Sequence, residues 1–185
     1  MNSTIIITPN KMVPHLMEHF EALIWLCKAT SEDSKRPTIS KTIMVKDGIC
    51  YATDGHRLHV YRQCTDSLPN DVILADGRYL IAHAGSKQLI FSVRDDNSDF
   101  PDVWKILSYR PSNGIPPFVS ISERTDYSRF LYHVYRHTAL FDESMLRDAY
   151  RPGRIEFERT GRDPLSGLVF GDEDQFALVM PLKES

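Results

Sequence analysis

The sequence predicts an α+β fold made of two βαβββ-type halves. Three observations lead there. Ile43 to Arg62 reads as a three-strand meander turned at Asp47-Gly48 and Asp54-Gly55, a dipeptide that supplies the positive torsions of a two-residue hairpin turn. Ahead of the meander, Val13, Leu16, Met17, Phe20, Leu23, Ile24 and Cys27 recur at helical spacing. Beyond a proline-rich break at Tyr109 to Pro117, the order strand, helix, three strands recurs more weakly.

In chain order, Thr4 to Ile7 is a short first strand. Thr8-Pro9-Asn10 offers helix-start chemistry, so the helix is expected from about Asn10 to about Ala29. Thr30 to Lys35 is polar and without period, hence a loop. After the meander, Thr65 to Asn70 is a turn cluster, and Val72 to Val93 makes two or three strands broken at Asp76-Gly77 and Gly85-Ser86. In the second half, Phe118 to Ile121 and Phe130 to His137 read as strands. Phe141-Asp142-Glu143-Ser144 opens a short helix through Tyr150, closed by Pro152-Gly153. Arg154 to Arg159, Leu165 to Phe170 and Phe176 to Leu182 are the last strands.

The 185 residues suffice for a packed core without staples. A formal charge of -3, from 22 basic and 25 acidic residues, does not announce nucleic-acid binding, although a local basic face is compatible with it. Cys27, Cys50 and Cys64 are isolated in sequence, as expected of reduced, buried thiols. Ile5-Ile6-Ile7 is too short for a signal-peptide core, and no run approaches a membrane span. A cytoplasmic location is expected.

Catalytic signatures are missing. There is no Gly-x-Ser-x-Gly, phosphate loop or Gly-x-Gly-x-x-Gly. His56, His59, Cys50 and Cys64 lack metal-ligand spacing, and His133 and His137 bring no third ligand. Neither enzyme activity, metal nor other cofactor is expected.

Ala52-Thr53-Asp54-Gly55-His56-Arg57-Leu58 resembles a segment of the bacterial sliding clamp, the beta subunit of DNA polymerase III. Phe100-Pro101-Asp102-Val103-Trp104-Lys105-Ile106-Leu107 resembles that family's Phe-Pro-Asp linker, and Leu178-Val179-Met180-Pro181-Leu182 is similar to its C-terminal Val-Val-Met-Pro-Met. The three segments fall in the family's order. The resemblance implies a DNA-clamp-like fold, with two helices packed on a curved antiparallel sheet. It implies one clamp-like domain over 1–185, with half one 1–108, linker 109–117 and half two 118–185. Family subunits carry three such domains, so a ring from this chain requires several copies.

The resemblance also implies a groove for short hydrophobic peptides of replication or repair proteins. The matching positions are Thr53, Gly55, His56, Arg57, Leu58, Pro101, Ile106, Leu178, Met180, Pro181 and Leu182, with Arg36 and Ile39 as weaker matches. Leucine, isoleucine, methionine and proline give an apolar floor, and methionine adapts to different side chains. Arg57 and His56 are expected to supply polar contacts at the rim.

Double-stranded DNA and a homo-oligomeric ring are further expected partners; a membrane is not. Against DNA, the first helix balances Lys11 and Lys28 with Glu18 and Glu21, and His15 and His19 add charge only when protonated. Two other functions compete. One is direct nucleic-acid binding by the arginine-rich last third, through Arg124, Arg129, Arg136, Arg151, Arg154, Arg159 and Arg162, with tyrosines for stacking. The other is a ring-less adaptor or decoy competing for clamp partners.

Overall fold

A computed structural model describes residues 4–11, 13–33, 35–36, 39–94, 100–103, 119–121, 126–135, 140–151, 155–159, 167–172 and 174–182. For 119–121, 133 and 155–159 it describes the backbone alone. The fold is α+β and its strand pairs are antiparallel. The chain divides into two compact units, Met1–Pro101 and Asp102–Ser185.

Unit 1 carries β1 (Thr4–Ile7), α1 (Pro14–Cys27), β2 (Thr42–Lys46), β3 (Ile49–Thr53), β4 (Arg57–Arg62), β5 (Gly77–Gly85) and β6 (Gln88–Val93). Its strand order is β1-β6-β5-β2-β3-β4. The predicted βαβββ order is therefore present, followed by the β5–β6 hairpin. Helix α1 packs on β2, β3, β4 and β5.

The helix starts later than its sequence signals imply. Val13 precedes Pro14 and is extended (φ -122°, ψ 98°), as the residue before proline tends to be. Regular turns thus begin at Pro14 rather than near Asn10. The buried face is also turned from the predicted stripe. His19, Phe20, Ala22, Leu23, Trp25 and Leu26 are buried, whereas Val13 is exposed. Two polar-capable side chains account for the difference. Trp25 stacks on His59 of β4 at 4.2 Å between ring centroids, and His59 Nδ1 bonds the Trp25 carbonyl at 2.9 Å.

His19 is the second. Its Nε2 lies 3.0 Å from the Val72 carbonyl, and its Nδ1 lies 3.0 Å from the Tyr61 hydroxyl. A carbonyl only accepts, so Nε2 carries the proton and Nδ1 accepts from Tyr61, the arrangement of a neutral imidazole. Burial holds its pKa below the ordinary 6.5, against the opposing pull of the Val72 bond. The unfolded chain therefore takes up a proton near 6.5 that the folded chain does not. This contribution to stability is complete above about 6.5 and is lost as pH falls toward the lower folded value. Urea midpoints at pH 7.5 and 5.5 are expected to separate further in the native protein than in His19→Gln. Equal separation in the two proteins sinks this assignment.

Of the three cysteines, Cys50 is buried, Cys27 is partly covered and Cys64 is exposed. The expectation of buried thiols thus fails at Cys64, which follows β4 in a turn. Desolvation pushes the Cys27 thiol up to about 12 and raises Cys50 as well, which keeps both as unreactive thiols.

Unit 2 carries β7 (Val119–Ile121), α2 (Tyr127–Tyr135), α3 (Glu143–Ala149), β8 (Ile155–Arg159), β9 (Leu168–Gly171) and β10 (Gln175–Val179), with strand order β10-β9-β8-β7. Strand, helix and three strands recur as expected, with one further helix among the described residues 119–182. The segment predicted as a strand from Phe130 to His137 is helical through Tyr135; residues 136 and 137 lie outside the described set. Asp126 explains why. Its side chain accepts from Arg129 N at 2.8 Å and its carbonyl from Phe130 N at 3.0 Å, an N-cap that outweighs the aromatic-rich strand propensity. Phe130 and Val134, four apart, are then buried on one face, while Tyr132 and Tyr135 are exposed. Helix α3 is capped by Asp142, whose side chain accepts from Ser144 N and Met145 N. Tyr127, Phe130, Tyr150 and Phe170 form an aromatic cluster beneath these helices.

Candidate peptide-docking surfaces

Two Asp-Gly turns were expected to be alike, and they are not. At Asp47-Gly48 both residues have positive φ (53° and 73°), and Lys46 pairs with Ile49, as in a two-residue turn. At the second turn Thr53 pairs with Leu58, so Asp54, Gly55, His56 and Arg57 lie between the paired residues. Gly55 alone has positive φ there, at 91°. The β3–β4 connection is a longer loop, and side chains rather than a tight turn hold it.

The holding is thorough. Thr53 Oγ1 donates to the Arg57 carbonyl at 2.7 Å and accepts from Gly55 N at 3.0 Å. Asp54 Oδ1 accepts from His56 N and Arg57 N, both at 2.9 Å. Arg57 Nε donates to Asp54 Oδ2 at 2.8 Å. Arg36 enters from the preceding loop, its Nη1 donating to the Asp54 carbonyl at 3.0 Å. Arg36, Thr53, Gly55, His56 and Arg57, all singled out by sequence, thus come together in unit 1, with Arg36 and His56 exposed.

The remaining residues of unit 1 separate by burial. Leu58 is 2% exposed and Ile39 is also buried, so both belong to the core. Pro101 is partly exposed at the unit's end, and Ile106 lies outside the described residues.

In unit 2, Phe176, Ala177, Leu178 and Val179 of β10 are buried. The strand stops at Val179, short of the predicted Leu182. Pro181 has no amide to continue a ladder, and Leu182 N instead donates to the Leu140 carbonyl at 2.8 Å. Beyond the strand the surface is apolar: Met180 is 40% exposed, Leu182 49% and Leu140 64%, with Pro181 partly exposed. A side chain added at Gly167 would meet Leu178 Cδ1 at 2.8 Å and Met180 Sδ at 3.0 Å, so the glycine leaves room for both. Leu140 escaped the sequence reading because it lies 42 residues from Leu182 and nothing local marks it.

Among the described residues no group of three His, Cys, Asp or Glu is arranged to hold a metal ion. No described helix is long and apolar enough to cross a membrane.

The solved structures that share this fold include many DNA polymerase III beta sliding clamps. The sliding clamp of Pseudomonas aeruginosa matches 98% of this chain and 67% of its own, at 16% identity and a TM-score of 0.52. The C. crescentus beta sliding clamp matches 98% and 65%, at 14% identity and 0.56. DNA polymerase III subunit beta from Borrelia burgdorferi matches 99% and 65%, at 11% identity and 0.56. The chain thus spans about two thirds of the length of these clamps. No family model and no curated protein matches the sequence. At these identities the likeness is one of fold, and the fold is the one the three segments implied.

Proposed function

We propose that the two units act together as one clamp-like domain of a non-enzymatic replication or repair accessory protein, which docks short hydrophobic peptides of polymerase-type partners. The observation that carries this reading is the exposed Leu140, Met180 and Leu182 at the end of an otherwise buried β10. Exposed apolar side chains gathered at one place mark contact surfaces more often than scattered ones do. Methionine among them suits several partners. Covering two or three apolar side chains of a peptide is worth on the order of several kcal/mol before ordering costs.

The reading ranks peptides ahead of DNA. His19 is buried and neutral, and His15 lies 3.8 Å from Glu18. Neither turns α1 into the basic face that sliding on phosphates needs. A ring of several copies is a further step of the same proposal. Direct nucleic-acid binding is the second reading, favoured by exposed Arg129, Tyr132 and Tyr135 on α2.

The test is anisotropy of a labelled peptide bearing the clamp-binding segment of a replicative polymerase. Met180→Ser with Leu182→Ser is expected to lower affinity at least about tenfold, about 1.4 kcal/mol, and to leave the urea midpoint near that of the native protein. Leu58 is the wrong residue for this purpose. It is core, and truncating it costs about 2–5 kcal/mol of stability. Unchanged affinity in the double variant defeats the proposal. A steep fall of DNA affinity with salt, without peptide binding, favours the second reading.

A further inference from the structure

Strand β1 ends the strand order of unit 1, and among the described residues no strand pairs with its outer side. Every second residue of β1 therefore turns its N–H and C=O to a side without a ladder. Edge strands are ordinarily blunted by a charge, a proline or a bulge. β1 carries none of these. It reads Thr4-Ile5-Ile6-Ile7, and its register with β6 runs unbroken from Thr4 opposite Ser92 to Ile7 opposite Leu89. Such an edge accepts one kind of ligand, another extended chain.

The side chains say which chain. Ile7, Leu89 and Phe91 are buried, so they mark the core face, which Ile5 shares by pairing with Phe91. Ile6 pairs with Ile90 on the outer face and is 59% exposed. Leu80 of β5, opposite Ser92, is exposed on that same face. The segment Thr4-Ile5-Ile6-Ile7-Thr8 reads identically in both directions about Ile6. An antiparallel copy with Ile6 opposite Ile6 sets Ile5 against Ile7 and Thr4 against Thr8. Opposed residues share a face, so the core-face isoleucines meet each other, and the outer face gains a row of Ile90, Ile6, Ile6 and Ile90. A slip of one residue opposes Ile5 to Ile6 and turns the second core face to the wrong side of the sheet. No charges meet in the matched register, Thr–Thr pairs are favourable neighbours, and Pro9, lacking an amide, ends the ladder beyond Thr8.

We propose that β1 is a homophilic contact: two copies of this chain join by antiparallel β1–β1 pairing about a twofold axis at Ile6. The same patch serves both copies, so the contact closes at two. A ring built from one repeated contact joins two different patches, which makes β1 something other than a ring contact. Pairing at β1 does not depend on peptide docking at Leu140, Met180 and Leu182. A contact of this length is smaller than a standard interface, so a Kd of roughly 10–100 μM is expected.

Sedimentation equilibrium of the full chain from about 5 to about 500 μM should show monomer and dimer only. Ile6→Lys is expected to weaken dimerisation at least about tenfold. Its urea midpoint, measured where both proteins are monomers, should stay near native because Ile6 is exposed there. Leu80→Lys, on the same face but two strands in, should leave the dimer intact. Register is read in a Cys64→Ser background, which removes the exposed thiol. With diamide as oxidant, Ile6→Cys should form an interchain disulfide, since opposed Cα atoms lie about 4.5–5.5 Å apart. Thr4→Cys should not, because its two copies sit roughly 14 Å apart along the pair. A chain that stays monomeric to about 500 μM overturns the proposal and leaves the edge to a strand of another protein. Trimers or larger species overturn it in favour of a head-to-tail contact. Loss of the dimer in Leu80→Lys overturns it in favour of stacked outer faces. Thr4→Cys crosslinking as fast as Ile6→Cys overturns the twofold register and the proposal with it.

Discussion

Gln63→Ala is expected to destabilise unit 1 by about 3 kcal/mol, within a range of about 2–5. Gln63 follows β4, is 4% exposed, and its side chain pairs with a backbone as a strand would. Its Nε2 donates to the Leu74 carbonyl at 2.8 Å, and its Oε1 accepts from Leu74 N at 2.9 Å. Leu74 is itself buried. Truncation removes the partners of both the buried N–H and the buried C=O of Leu74 at once, and each unsatisfied group costs about 1–3 kcal/mol. The loss spreads, because the loop ending at Leu74 also brings the Val72 carbonyl to His19. Gln63→Glu separates the two bonds, since it keeps an acceptor for Leu74 N and sets a carboxylate against the Leu74 carbonyl. Urea unfolding gives the numbers. A loss under about 1 kcal/mol for the alanine variant means that water replaces the amide, and the account of this loop fails.

The second large effect is expected at Gly171, where alanine should cost about 4 kcal/mol, the sum of a strained torsion and a crowded site. Gly171 ends β9 with φ 141° and pairs with Phe176 of β10. An added Cβ would overlap the Gln175 carbonyl oxygen and lie 2.5 Å from Phe176 Cα. These are backbone atoms of the partner strand, so no side chain can swing aside. The hairpin itself must open, and its loop bonds, Asp172 N to the Gln175 carbonyl and Gln175 N to Asp172 Oδ1, open with it. Gly48→Ala is the control. Its φ of 73° is also left-handed, but nothing lies within 4 Å of the added carbon, so about 1 kcal/mol is expected. Thermal melts of the two variants compare them directly, and equal losses would falsify the steric explanation. Displacement of β10 in Gly171→Ala should also carry away Met180 and with it peptide binding.

Much of this architecture was legible. The two Asp-Gly dipeptides between short apolar runs announced the meander, because hairpin turns need residues that tolerate positive torsions. Asp142, within Phe141-Asp142-Glu143-Ser144, announced α3 as its cap. Helix α2 was hidden because Tyr127, Phe130, Tyr132, Val134 and Tyr135 have the composition of a strand, and the Asp126 cap lies outside them. The turned face of α1 was hidden for another reason. His19 is a core residue only when Tyr61 and Val72 bond it, and no local period reports partners 42 and 53 residues away. At the candidate site the types of residue were legible but their duties were not. Asp54 reads as a turn former, while in the structure it neutralises Arg57 and anchors two amides. Leu58 reads as groove, while in the structure it is core.

The network inside the β3–β4 loop has a thermodynamic consequence. Exposed loops ordinarily lose conformational entropy when a ligand immobilises them, at about 1–2 kcal/mol per ordered backbone residue. Here Thr53 and Asp54 already restrain Gly55, His56 and Arg57 by bonds internal to the tip. That loss falls within folding and not within association. A partner docking at this loop would meet a preorganised tip, and more of the contact free energy would appear as affinity.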